Sequence, residues 1–436
     1  MAEDFGITLP SNWKQRFFTI WTGQAISLIG SGLVQFAIVW YLTQKTGSAT
    51  ILATATLVAM LPQVVAGPLI GALVDRWNRR IIMMAADSAI AGVTLIVAVL
   101  FATGNIQVWH IYVAMLLRSL GGAFHWPAMS ASTSLMVPKE HLSRIAGMND
   151  TLQGVVSIIT PPISAFLLML LPIEGILLID VFTALVAVAP LFFISIPLPP
   201  RIQAAEAGQA VKTSVWQDFV AGLRYVAAWP ALLVILIMAT MLNFLFNPAF
   251  SLLPLLVSNH FKGGAVEYGL MESVIGIGIV IGGITLSVWG GFKRRIVTAM
   301  SGLIGMGIGI LMIGFAPANM YWLALAGIGL VGIMNPLANG PLRAIFQGSV
   351  APEMQGRVFG LISSLAALMS PLGLLIAGPV SDALGIQLWF VAAGILSVAS
   401  GAVMFFVPLV MNVEQDRRVI EAAAPAGIAT AAAEAE

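Results

Sequence analysis

The sequence predicts an all-α membrane protein of twelve transmembrane helices arranged as two related bundles of six. Three observations carry that expectation. Apolar residues make up 59% of the 436 positions and charged residues only 9%, with a mean hydropathy of +0.97, far outside the range of soluble domains. Apolar runs long enough to cross a hydrocarbon core, about 20 residues each as a helix, recur from Phe17 to Met411. A segment of the first half also returns in the second. Barrel-type alternation is absent, so each run satisfies its own backbone hydrogen bonds as a helix.

The first run, 17–42, follows Lys14 and Arg16 and is far longer than the apolar core of a signal peptide, so it reads as a retained helix. The second, 51–74, ends in GALVDRWNRR (71–80), which leads into the third, 81–103. The fourth, 107–136, carries Arg118 in its middle. VPKEHLSRIAG (137–147) opens the fifth, 145–171, where GVVSIITPPISAF sets Thr160, Pro161 and Pro162 side by side. The sixth, 176–197, meets a break rich in Pro, Ala and charge, PLPPRIQAAEAGQAVKTS. Trp216, Phe219, Leu223 and Val226 follow at helical spacing and predict an interfacial helix. Six more runs come after it: 230–258, 268–290, 296–316, 320–349, 357–381 and 387–411. The expected organisation is a bundle over 1–197, a cytoplasmic linker over 198–229, a bundle over 230–411 and a disordered cytoplasmic tail over 412–436.

Charge gives the orientation. Sixteen of the twenty lysines and arginines, from Lys14 and Arg16 through Arg76, Arg79 and Arg80 to Arg417 and Arg418, fall on one side of this topology. The positive-inside rule makes that side, and both termini, cytoplasmic. Lys45 and Lys262 fall on the other side, and Arg118 and Arg343 sit within runs. The net charge of +1 therefore carries no sign of nucleic acid. The absence of cysteine excludes disulfides and thiolate metal sites.

VPKEHLSRIAG aligns without a gap to VAPEMQGRVFG (350–360), matching Val137, Glu140, Arg144 and Gly147 with Val350, Glu353, Arg357 and Gly360. WNRRI (77–81) has a weaker echo in FKRRI (292–296). Two six-helix repeats facing each other across a central cavity are an architecture for alternating access.

Twelve runs in a 6+6 arrangement, GALVDRWNRR between the second and third, and RSLGGAF in the fourth together resemble the major facilitator superfamily. GALVDRWNRR is similar to the family's Gly-x-x-x-Asp-Arg-x-Gly-Arg-Arg loop, with Asn78 where glycine is usual. NWKQRFFTIWTGQAISLIGS, YLTQKTGSA, RSLGGAFHWPA and GRVFGLISSLAALMSPLGL are similar to the macrolide efflux proteins among the drug:proton antiporters, from Asn12 to about Pro408. The antiporter motif usual in the fifth helix departs here, with Thr-Pro-Pro replacing its glycine-proline turn.

The resemblance implies a cytoplasmic gate built on Gly71, Asp75, Arg76, Arg79 and Arg80, with Glu140, Arg144, Glu353 and Arg357 from the repeated segment. A loop acid such as Asp75 pairs with an arginine or caps a helix N-terminus in one state and parts from it in the other. The arginines also serve topology, which needs only positive charge; Asp75 contributes nothing to that rule.

Charges inside the runs need a partner or an aqueous cavity. The register of the repeat sets Val331 opposite Arg118 and Ser363 opposite Asp150, so these charges break the internal symmetry. In the family an arginine at the position of Arg118 is associated with proton transfer, acting on a nearby acid. Either Asp150 or Glu272 would be that acid, or each is a buried structural carboxyl. Asp87 and Asp180, near run ends, read as interfacial. The family's cavity-lining runs supply Gln24, Gln35, Phe124, His125, Trp126, Asn243, Phe246, Asn247, Asn335 and Asn339. Aromatic surface mixed with uncharged polar groups suits a large amphiphile, although ordinary helix packing uses the same residues.

No Walker loop is present, so ATP hydrolysis by this chain is not expected. Four histidines without a ligand pattern predict no metal site, and nothing calls for a cofactor. The expected activity is proton-coupled efflux of hydrophobic compounds, macrolide-type antibiotics first, by a monomer in a bacterial cell membrane. Its partners are an amphiphilic substrate, protons and lipid. Export or flipping of an endogenous lipid or siderophore fits the same features. A receptor that has lost transport fits less well with Asp75 and Arg118 in place.

Overall fold

The computed structural model describes residues 11–196, 223–350 and 352–414. The side chains of Gly71, Asp75, Arg76, Glu353 and Arg357 lie outside the described residues, as do the interfacial-helix positions Trp216 and Phe219 and the tail beyond residue 414. No strand occurs among the described residues. The chain forms α1 (Trp13–Thr46), α2 (Ala49–Arg76), α3 (Arg79–Ala102), α4 (Val108–Met136), α5 (Leu142–Leu170) and α6 (Ile173–Phe193), then α7 (Pro230–Ser251), α8 (Ala265–Trp289), α9 (Arg295–Phe315), α10 (Tyr321–Ser349), α11 (Pro352–Leu384) and α12 (Ile386–Phe405). Eleven of these stretches are long and apolar enough to cross a membrane. The twelfth, α4, has the length at 29 residues, but Arg118, His110 and His125 dilute its apolar character.

Local chemistry explains most of the boundaries. Gly47, at φ 60°, closes α1 in the left-handed region, its N–H bonding Thr43 O. Ser48 caps α2 by accepting from the Ile51 N–H at 3.3 Å. Asn78, the departure from the family's glycine, caps α3 by accepting from the Arg80 N–H at 3.1 Å. Two predicted runs are interrupted. The run over 230–258 breaks at Leu252, because Pro254 supplies no donor; Leu253–Leu255 and a π turn at Leu256–His260 follow. The run over 387–411 stops at Phe405, and Pro408 starts a separate turn, Pro408–Met411.

Pro161 and Pro162 both stay inside α5. Pro162 leaves the Ile158 carbonyl without its usual helical donor, and the Ser273 hydroxyl donates to that oxygen at 3.0 Å.

The described residues divide into two compact units. The first takes the described residues up to 196 together with Ser251–Ser273; the second takes those from 223 to 250 and from Val274 onward. The predicted second bundle thus lends 251–273 to the first unit. There Tyr268 stacks on Phe36 at 4.8 Å and on Trp40 at 5.9 Å between ring centroids. Gln44 Nε2 donates to Ser258 Oγ at 3.3 Å, and Asn259 Nδ2 donates to Gly47 O at 3.2 Å. One core of this unit gathers Phe17, Ile20, Ile70, Met83 and Leu191. In the second unit Trp229, Leu232, Ile235, Ile296 and Met300 form the core. Glycines bring α8, α9 and α10 together: a Cβ on Gly309 would lie 2.6 Å from Gly327 O, and one on Gly278 would lie 2.8 Å from Gly329 O.

Candidate functional site

The first unit holds two clusters of buried polar side chains. In one, Arg118 of α4 pairs with Asp180 of α6 at 2.7 Å. Thr94 of α3 accepts from Arg118 and lies 3.1 Å from Asp180 Oδ2, while Ser31 of α1 donates to Asp180 Oδ1 at 3.0 Å. Gly30 lets α1 come this close, since a Cβ there would sit 3.2 Å from Asp180 Oδ1. Asp180 is 1% exposed. An ion pair so enclosed holds together because further hydrogen bonds satisfy its remaining lone pairs.

In the other cluster Gln24 of α1, Asp87 of α3 and His125 of α4 meet. Gln24 Nε2 donates to Asp87 Oδ2 at 3.0 Å, and His125 Nε2 lies 3.3 Å from Asp87 Oδ1. The interfacial reading of Asp87 and Asp180 is therefore corrected. Both helices begin before the predicted runs, at Arg79 and Ile173, which carries both acids deeper, and neighbouring helices enclose them. Of the two carboxyls expected to bind the proton, Asp150 is exposed, whereas Glu272 is partly buried and accepts from Tyr268 Oη at 2.6 Å. Neither meets Arg118.

Beside the second cluster lies a cavity of about 110 Å³ between α1, α4 and α5, lined by Trp21, Gln24, His125, Trp126, Asn149 and Gln153 among others. Trp21 Nε1 donates to Asn149 Oδ1 at 2.8 Å. Trp21, Asn149 and Gln153 were missed by the sequence reading. Their signal was present, since three polar or amphipathic residues in otherwise apolar runs need an interior to face.

The expected lining residues separate. Gln24, His125 and Trp126 line this cavity. Phe124 faces an apolar groove of about 790 Å³ on α3 and α4 with Trp77, whose ring runs parallel to its own at 6.4 Å. Phe124 and Trp126 stand about 200° apart round the helix, so both cannot face one space. Gln35 is exposed and lines none of these cavities, being about 16 Å along α1 from Gln24. In the second unit Asn243, Phe246, Asn247, Asn335 and Asn339 line one cavity of about 310 Å³ with Met238, Met300 and Met306. Exposed Arg343 borders a neighbouring cavity of about 430 Å³.

Of the residues expected at the gate whose side chains are described, Arg79 and Arg80 tie α3 to neighbouring helices. Arg80 donates to Leu191 O and, at 2.8 Å, to Phe192 O, capping the last turn of α6. Arg79 donates to Ala131 O of α4 at 3.2 Å. Glu140 and Arg144 are exposed.

Comparison with known proteins follows the same lines. The family profile described as Major Facilitator Superfamily matches residues 20–370 and, overlapping, 249–432. "Macrolide efflux protein A" of Streptococcus pyogenes is 34% identical over 389 residues, covering 89% of this chain and 95% of that protein. "Multidrug efflux pump Tap" of Mycobacterium bovis is 30% identical over 417 residues, covering 91% of this chain and 94% of that one. Among solved structures, the nucleoside transporter NupG superposes with a TM-score of 0.67 at 15% identity over 91% of this chain and 99% of its own, a likeness of fold.

Proposed function

The chain belongs to the major facilitator superfamily and is a multi-pass membrane transporter, and on that premise we propose that it exports hydrophobic amphiphiles, macrolide-type antibiotics among them, in exchange for protons by alternating access. The observation that carries this reading is the cavity of Trp21, Trp126, Gln24, His125, Asn149 and Gln153 beside buried carboxylates in the same unit. At about 110 Å³ the cavity admits one part of a large amphiphile, to which indole rings offer apolar area and the amides and imidazole a few directed bonds. Relatives named for macrolide and multidrug efflux favour the same substrate class.

Arg118 and Asp180 form a neutral pair whose separation would leave each charge uncompensated in a poorly polarisable interior. Such a pair joins the states of α4 and α6, so a proton arriving nearby biases both helices at once. Asp75, in the last turn of α2, is assigned to the cytoplasmic gate, with Arg76, Arg79 and Arg80 fixing the connection to α3. The transporter works as a monomer in a bacterial cell membrane with both termini in the cytoplasm.

Everted vesicles test the reading. With an inwardly acidic gradient, wild-type vesicles are expected to accumulate an erythromycin-type macrolide, and an uncoupler to abolish the accumulation. A gradient-independent flux of the macrolide would remove proton coupling. No macrolide flux, with transfer of a labelled phospholipid instead, would move the assignment to an endogenous amphiphile.

A further inference from the structure

Gln24, Asp87 and His125 close a triangle. Gln24 Nε2 donates to Asp87 Oδ2 at 3.0 Å, Gln24 Oε1 lies 2.9 Å from His125 Nε2, and His125 Nε2 lies 3.3 Å from Asp87 Oδ1. An ionised carboxylate only accepts, so the amide nitrogen faces Asp87 and the amide oxygen faces the imidazole. His125 Nε2 then has acceptors on two sides and carries a hydrogen. Nδ1 is left as the atom that gains or loses a proton.

The two protonation states differ in charge balance. With Nδ1 protonated, imidazolium and carboxylate compensate each other. Without that proton, Asp87 is an ionised group at 5% exposure held by neutral donors, and the region favours another cation. Gln24 and His125 also wall the cavity, while Asp87 stands behind them. Around the triangle, α1 and α5 contribute uncharged Gln24, Asn149 and Gln153, α4 contributes Arg118, and α6 contributes Asp180. Arg118 and Asp180 are paired at 2.7 Å, so the triangle balances its charge largely by itself, although Asp180 acts electrostatically on Asp87.

We propose that His125 carries the coupled proton, that Asp87 is its buried counter-charge, and that the cavity walled by His125 and Gln24 is the subsite for a protonated amine of the substrate. The subsite then holds one positive charge at a time. When Nδ1–H passes its proton to water, the incoming ammonium takes over the compensation of Asp87; when the ammonium leaves, Nδ1 takes a proton from water. In the first step one N–H bond breaks as an O–H bond forms on water, and in the second the reverse occurs, while the substrate ammonium keeps all its bonds. This assignment rests on proton-coupled export as proposed above and names the group that performs it.

The test uses full-length protein in proteoliposomes with erythromycin, whose tertiary amine stays protonated between about pH 5.5 and 7.5, where an imidazole titrates. Tryptophan fluorescence, with Trp21 and Trp126 in the cavity, reads binding. Wild-type affinity is expected to fall as pH drops, approaching tenfold per pH unit below the imidazole pKa. His125→Gln is expected to flatten that profile and to lose gradient-driven accumulation. Asp87→Asn is expected to weaken binding at every pH, and Asp87→Glu to restore it in part, which separates a charge effect from misfolding. A His125→Gln protein that keeps the wild-type pH profile and accumulation overturns the assignment and leaves proton-coupled export standing. Absence of gradient-driven accumulation in the wild type overturns the export reading itself.

Discussion

Arg118 was legible as functional because a guanidinium in the middle of an apolar run needs a partner, but its partner was not. Asp180 was discounted for its nearness to a run end, whereas Ser31, Thr94 and Gly30 together form its setting. A guanidinium buried in the first half demanded an acid in that half, and this requirement was a better guide than position along a helix. Arg118→Ala is expected to abolish uphill export and to destabilise the protein by about 3–5 kcal/mol, because it leaves Asp180 enclosed and unpaired. Arg118→Met combined with Asp180→Leu is expected to regain most of the stability without regaining export. Thermal unfolding in detergent and vesicle uptake measure the two effects separately, and recovery of both would make the pair scaffolding alone.

At the scale of elements, apolar length located the twelve long helices among the described residues, because a bilayer sets the same requirement for all of them. Breaks inside runs were harder to see. Pro254 and Pro408 sit in the first turns of new elements, whereas Pro161 and Pro162 stay inside α5, where the distant Ser273 reaches the vacated Ile158 carbonyl. Glycines also differ by surroundings that sequence does not display. Gly309→Ala would press a Cβ onto the Gly327 carbonyl at 2.6 Å, and about 1–3 kcal/mol of destabilisation is expected. Gly283→Ala meets nothing within 4 Å and is expected to be neutral or slightly stabilising. Melting temperatures of the two variants check the contrast. Asp75→Asn, in the last turn of α2, is expected to leave insertion and yield unchanged while cutting efflux sharply. Wild-type efflux from a normally expressed variant would make Asp75 a spectator.

For the molecule as a whole, the fold was readable because hydropathy and an internal repeat are properties of long stretches, which single substitutions hardly disturb. The cavities were only partly readable, since their walls combine residues far apart in sequence. The expected orientation can be checked with reporters: one fused after Arg80 should be cytoplasmic and one at Gly263 external, and external labelling at Arg79 would reverse it. The segment Ser251–Ser273 bears on assembly. It is synthesised after α7, yet Tyr268, Ser258, Asn259 and Ser273 are anchored on α1 and α5. The first six helices emerge from the ribosome with part of their surface still unmade. That surface is completed only by chain translated later, as a clasp is closed by the far end of its own strap. A fragment ending near residue 210 is therefore expected to be degraded when expressed alone, and to be protected and co-purified when a fragment beginning there is expressed beside it.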